Sequence, residues 1–300
     1  DLESCISPPL TLFELQWLIN MLKTIFIFLF YSLISISGIC QLQDSLPMQK
    51  SLPSKPLSLD LKIDIPLTAY TTVWTLYQFG QTSKHQESSA EAVSSLKISD
   101  INWFDRWAVL PYNQSADKLR YLPFYGAIAY PIVFIMLDRK MRKDILELSF
   151  LYLESMTITG AIYGSATNYA PRYRPFVYSE STAFDKRISP ESRKAFFAGH
   201  VALVATSTFF MAGVFAKYHP DSKFKWLMYM IAAAATATTG YLRHEAGEHF
   251  PSDILVGTTI GTLSGLLVPA LRKTKIAANK HLSFLPFAGQ ENGMTILYKF

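Results

Sequence analysis

The polar positions of this chain fall in clusters, and the stretches between them are apolar. Five such stretches, residues 121–137, 145–166, 199–215, 226–242 and 254–271, run for about 17 to 22 residues each, close to the length that carries a helix across a bilayer. Gly, Ala, Ser and Thr recur within them, as they do where helices pack closely in lipid. Upstream, residues 66–80 (PLTAYTTVWTLYQFG) form a short, semi-polar helix or strand candidate. Residues 81–100 are polar and predict a loop, while INWFDRWAVLPY, residues 101–112, has the aromatic character of a membrane-interface segment. The tail from His281 reads as two short strands around GQENG. The pattern predicts an all-α fold: a helical bundle of about six helices, membrane-embedded, with a short C-terminal β-hairpin-like tail.

Two carboxylates interrupt the apolar pattern. Glu147 lies near the start of its stretch and can reach the interface, but Glu154 is deeper and must face the bundle interior. Their spacing of seven puts both on one helix face. The links sort by charge as well. DRKMRKD (138–144), KYHPDSKFK (217–225) and RKTKIAANK (272–280) are short and basic, which assigns them to the cytoplasmic side. The links 167–198 and 243–253 then lie together outside. With the N-terminus outside and 121–137 running inward, 66–80 cannot cross and would lie on or beside the bilayer. A soluble bundle held in the periplasm is the alternative that removes this constraint.

Composition agrees with a membrane protein or a very apolar bundle. Hydrophobic residues make up 50% and charged residues 17%, against about 25% charged in soluble domains. The net charge is +5, yet the basic residues are scattered over loops, so nucleic acid is not an expected partner. Cys5 and Cys40, the only cysteines, suggest neither a disulfide framework nor a metal site. From Met21, MLKTIFIFLFYSLISISGICQLQ places a lysine before an apolar run of signal-peptide length. The expected organisation is therefore an upstream segment with a signal peptide or anchor (1–40), a linker and interfacial N-terminal region (41–120), a core (121–272) and a C-terminal tail (273–300).

The chemistry concentrates in GYLRHEAGEHFPSD, residues 240–253. HEAGEH resembles a zinc-binding HExxH, but His244 and His249 are five apart and diverge by roughly 140° on a helix. No metal or other cofactor is expected. His249 and Asp253 are four apart, a spacing at which a carboxylate can fix the imidazole tautomer. On that pair alone, a surface histidine beside a helix-capping aspartate explains the spacing as well. Pro251 suits the first turn of a helix, so His249 sits where backbone N–H groups favour an anion such as phosphate. The same dipole end would keep the imidazole neutral. His200 follows Gly199 at the start of another apolar helix on the same side, Arg172 and Arg174 lie just past the end of a third, and Arg243 opens the quoted stretch. Arginines bind phosphate oxygens bidentately.

Together these motifs resemble the type 2 phosphatidic acid phosphatase family, whose core is shared with bacterial acid phosphatases and vanadium haloperoxidases. The family pattern is a lysine seven before Arg-Pro, then Pro-Ser-Gly-His, then Ser-Arg, five residues, His, three residues, Asp. Here Arg174-Pro175, Gly199-His200 and Arg243…His249…Asp253 match over roughly residues 120–272. Thr167 stands for the lysine, Phe197 and Ala198 for Pro-Ser, and Leu242 for the serine. The resemblance implies that His249 attacks phosphorus to form a phosphohistidine, oriented by Asp253. It implies that His200 protonates the leaving alcohol and then activates water. Arg174, Arg243 and the Gly199 N–H would hold the phosphate oxygens, without a metal. Losing one donor from such a site costs about 3 kcal/mol, and Arg172 and Lys194 are the cations that could stand in for Thr167.

The expected function is a lipid phosphate phosphatase, cleaving a phosphomonoester or pyrophosphate, in the bacterial inner membrane with its site facing the periplasm. Family substrates include phosphatidic acid, phosphatidylglycerol phosphate, undecaprenyl pyrophosphate and lipid A. The alternatives are a soluble periplasmic acid phosphatase and a non-catalytic phosphate- or lipid-binding membrane protein, the latter favoured by the missing Lys and Ser.

Overall fold

The computed structural model describes residues 56–272, 282–287 and 293–298. The signal or anchor segment, both cysteines and most of the linker lie outside the described residues. The helices are α1 (Leu61–Thr82), α2 (Ala90–Ser94), α3 (Gln114–Leu119), α4 (Tyr121–Leu137), α5 (Ile145–Tyr169), α6 (Phe184–Ile188), α7 (Gly199–Tyr218), α8 (Phe224–Glu245) and α9 (Pro251–Leu271). Six of them are long, and five of those six coincide with the apolar stretches to within a turn. In the tail, β1 (Leu282–Phe287) and β2 (Gly293–Tyr298) pair antiparallel, with Leu282 opposite Tyr298.

The bundle is built around α7, the most buried long helix, whose Val201, Val204, Ala205, Phe210 and Met211 are inaccessible. Its closest partner is α9. Gly257, Gly261 and Gly265 repeat every four residues on one face of α9 and lie over the backbone carbonyls of Ala198, Ala202 and Thr206. A methyl group at Gly257 would sit 2.7 Å from the Ala198 oxygen, and one at Gly265 2.5 Å from that of Thr206. This approach brings the first turns of α7 and α9 side by side, and with them His200 and the His249 strap. Polar ladders tie α7 to its other neighbours: Thr206 to Thr159 at 2.7 Å and Ser207 to Tyr152 at 2.6 Å.

The sequence places 66–80 beside the bilayer; the structure corrects this. α1 is a helix of 22 residues, and it runs parallel to α5 along its length. Thr71 bonds Thr157 at 2.9 Å, Trp74 bonds Ser165 at 2.8 Å, and Thr82 bonds Asn168 at 3.2 Å. Whatever depth α5 reaches, α1 reaches too, so α1 begins at the end of the bundle that carries the basic link 138–144. The segment looks semi-polar because it is inside out. Asp64, Thr68, Thr71 and Gln78 are buried against α5, while Ile63, Val73 and Leu76 point outward. Glu154 does face the interior, where it meets Arg272 at 2.9 Å, and Arg272 also pairs with Asp64.

Among the described residues, four helical stretches are long and apolar enough to cross a membrane: Gln114–Leu137, Met141–Tyr169, Gly199–Tyr218 and Pro251–Leu271. α8 is less apolar because its inner face is Ala, Thr, Gly and Arg243. Its outer face nevertheless presents Trp226, Met230 and Ile231. Leu122 is 82% exposed, Leu137 76% and Leu255 56%. A soluble bundle would leave these belts in water, where monomers rarely keep contiguous apolar surface. The protein is a membrane protein.

Candidate active site

The strap between α8 and α9 explains the motif HEAGEH. α8 ends in a turn that reverses the chain: Gly247 N–H donates to the His244 carbonyl at 2.8 Å, and Glu248 N–H donates to that of Arg243 at 3.1 Å. Such a turn needs a left-handed residue, and Gly247 has φ 68°. The glycine is needed for space too, since a Cβ there would meet the Pro111 oxygen at 2.6 Å. Thus His244 stays on α8, packed on Trp107, while His249 leaves it. The reversal lays Glu248 back over Arg243, whose Nη2 donates to Oε2 at 3.1 Å.

His249 follows, 2% exposed. Its Nδ1 lies 2.7 Å from the carbonyl oxygen of Ala195. A carbonyl only accepts, so Nδ1 carries the proton and the neutral ring keeps its lone pair on Nε2. Burial, and after it the charges of Arg243 and Arg174, hold the His249 pKa well below its ordinary value. His200 is in the first turn of α7, half-buried, with the Phe124 ring at 4.7 Å. Gly199 opens that helix beneath the Tyr163 ring, which lies 2.5 Å from where a Cβ would be.

The expectation that Asp253 orients His249 is corrected. Asp253 accepts from the Phe250 N–H at 2.9 Å and from Arg172 Nη1 at 2.6 Å, so it caps α9 and pairs with a guanidinium. The Ala195 carbonyl performs the orienting contact instead. Arg172 is also not where a phosphate-binding role requires it. Besides Asp253 it donates to Asp105 at 2.7 Å and to Ser252 Oγ at 2.8 Å, and its guanidinium lies over the Phe250 ring. Burial opposes the charge on Asp105, but hydrogen bonds from Arg172, Ser252 and Asn102 outweigh it and lower its pKa. This network clamps the aromatic segment onto the start of α9.

Arg174 and Arg243 do converge. Both are buried, both bond the carboxylate of Glu248, and the Nε of each is buried without a partner. Arg243 is further held by Asp117 at 2.7 Å. Lys186 Nζ stands 4.0 Å from the other oxygen of Glu248. Thr167 is fully buried and spends its hydroxyl on the Tyr163 carbonyl at 3.0 Å, and Lys194 pairs with Glu191 at 2.8 Å. Glu248, Asp117, Asp105 and Lys186 were not singled out by the sequence, because their partners come from distant segments.

Residues 148–277 match the model of the PAP2 superfamily. The matched segment runs from the first turn of α5 through α9 and holds Arg174, His200, Arg243, His249 and Asp253. Two solved structures are similar to the chain. One is the first transmembrane PAP2-type phosphatidylglycerolphosphate phosphatase from Bacillus subtilis, at 19% identity and TM-score 0.41, covering 69% of this chain and 94% of that one. The other is LpxE of Aquifex aeolicus, at 21% identity and TM-score 0.40, covering 58% and 98%. No curated protein sequence matches the chain.

Proposed function

We propose that the protein is a lipid phosphate phosphatase that works through a phosphohistidine on His249. The observation that carries this reading is the buried, neutral His249 with Nδ1 fixed on the Ala195 carbonyl, beside two guanidiniums that converge on one anion position. The lone pair of Nε2 attacks phosphorus, the P–O bond to the lipid breaks, and His200 gives its proton to the departing oxygen. His200 then takes a proton from water as the hydroxide displaces the imidazole, releasing inorganic phosphate and restoring both rings. Arg174 and Arg243 stabilise the charge on the equatorial oxygens, and the free N–H groups at the start of α7 add donors.

The lipid character of the substrate follows from where the reading puts the site. The exposed Trp103 and Trp107 belong to the segment clamped to the His249 strap, so they would sit at headgroup level. The basic links at the other end of the bundle support an extracytoplasmic site, in the periplasm of a bacterial inner membrane.

The test is phosphate release by the detergent-solubilised protein from a panel of lipid mono- and pyrophosphates. Wild type should turn over at least one of them, and His249→Ala should lose at least a thousandfold in kcat. Equal inertness of the two on every lipid and on p-nitrophenyl phosphate would replace the phosphatase reading with a binding protein.

A further inference from the structure

We infer that Lys186 supplies the cationic contact to the substrate phosphate that Thr167 cannot, completing a three-cation cradle with Arg174 and Arg243. The inference rests on the phosphatase reading of the same site. The Glu248 carboxylate marks the anion position. Arg174 and Arg243 bond it directly, and Lys186 is the third cation in reach, with Nζ 4.0 Å from Oε1. A phosphate taking over that position meets all three.

Lys186 is presented by a fixed piece of chain. Its short helix is tied down by Arg187 Nε donating to the Val177 carbonyl at 2.8 Å and by Ser88 N–H donating to the Ile188 carbonyl at 2.8 Å. Just before it, Thr182 Oγ1 accepts from the Tyr112 N–H at 3.1 Å. The ammonium lies 4.2 Å from the centre of the Tyr112 ring and 5.3 Å from that of Phe176. These ring faces hold a cation without neutralising it. The charged groups that act on it are Arg174, Asp117, Glu191 and Arg120, and burial together with Arg174 lowers its pKa. Such an ammonium gains more from an incoming anion than a solvated one does.

The other cations nearby are committed elsewhere. Arg172 is held by Asp105 and Asp253, Lys194 by Glu191, and Arg120 by Asp117 and the Tyr121 hydroxyl. Lys186 also lies downstream of Arg174-Pro175, outside the spacing at which the motif resemblance seeks a lysine. It therefore has to be found in space.

The experiment measures inorganic phosphate affinity by calorimetry on the full solubilised chain, alongside kcat and KM on the best lipid substrate. Lys186→Ala should weaken phosphate about tenfold to a hundredfold, Lys186→Arg should recover most of the loss, and Lys194→Ala should stay near wild type. Lys186→Ala binding phosphate as tightly as wild type, or a Lys194→Ala loss of the same size, overturns the inference and leaves the phosphatase reading intact. A wild type that neither binds phosphate nor hydrolyses any substrate overturns both. Because Lys186→Arg keeps the charge and the stem, its recovery separates lost contact from a damaged fold.

Discussion

At the scale of single residues, the site turns on one carboxylate. Glu248 is 2% exposed and balances two buried guanidiniums, so it stabilises them and competes with any ligand of the same charge. Glu248→Gln removes the competitor and leaves Arg243 with Asp117 and Arg174 with the more distant Glu191 as acidic partners. The solubilised variant should melt lower than wild type without ligand, and phosphate should raise its melting temperature more than it raises that of wild type. An unchanged phosphate response would mean that Glu248 does not contest the anion position. The spacing of His200, His249, Arg174 and Arg243 was enough to pick them out, because each sits at a helix end that the apolar pattern locates. The partners that hold these residues were not legible in this way. Asp117 reaches Arg243 from 126 residues away, and Ala195 reaches His249 from 54. The i, i+4 spacing of His249 and Asp253 fits a cap as well as an orienter, and the cap won because Arg172 and the Phe250 N–H occupy both oxygens.

At the scale of elements, the strap depends on Gly247. Its positive φ and the carbonyls of Leu110 and Pro111, 2.8 and 2.6 Å from a would-be Cβ, leave no room for a side chain. Gly247→Ala should cost about 1 to 3 kcal/mol of stability and lower kcat more than it raises KM, since it shifts His249 relative to the arginines. Thermal melts and steady-state kinetics on one preparation check both, and wild-type values in each would show that the reversal tolerates a methyl group. The helices themselves were largely legible, since an apolar run bounded by charges fixes its own ends. α1 was set beside the bilayer by the count of crossings from an N-terminus outside, a count that knew nothing of the polar face by which α1 packs along α5.

At the scale of the molecule, the parallel course of α1 and α5 sets the topology. α1 must start on the side of the basic links and finish on the side of the His249 strap. Single cysteines at Ser58 and Ser83, in a chain lacking its two natural cysteines, should therefore label from opposite faces of sealed membranes. Ser83 should share its face with Ala170. Labelling of both from one face would return α1 to the bilayer surface. Side of the membrane and chemistry are thereby linked, because α5 ends just before Arg172 and Arg174.

The foot of the bundle carries a consequence for how the protein is made. Asp64 and Glu154 lie at the start and middle of the described chain, and the cation that answers both, Arg272, follows the last long helix. During synthesis the two acids leave the ribosome long before their partner. Until Arg272 has emerged, Asp64 and Glu154 lack the cation that pairs with both at the foot of α1 and α5. A chain truncated before residue 272 should therefore pair α1 with α5 less stably at this end than the full chain does.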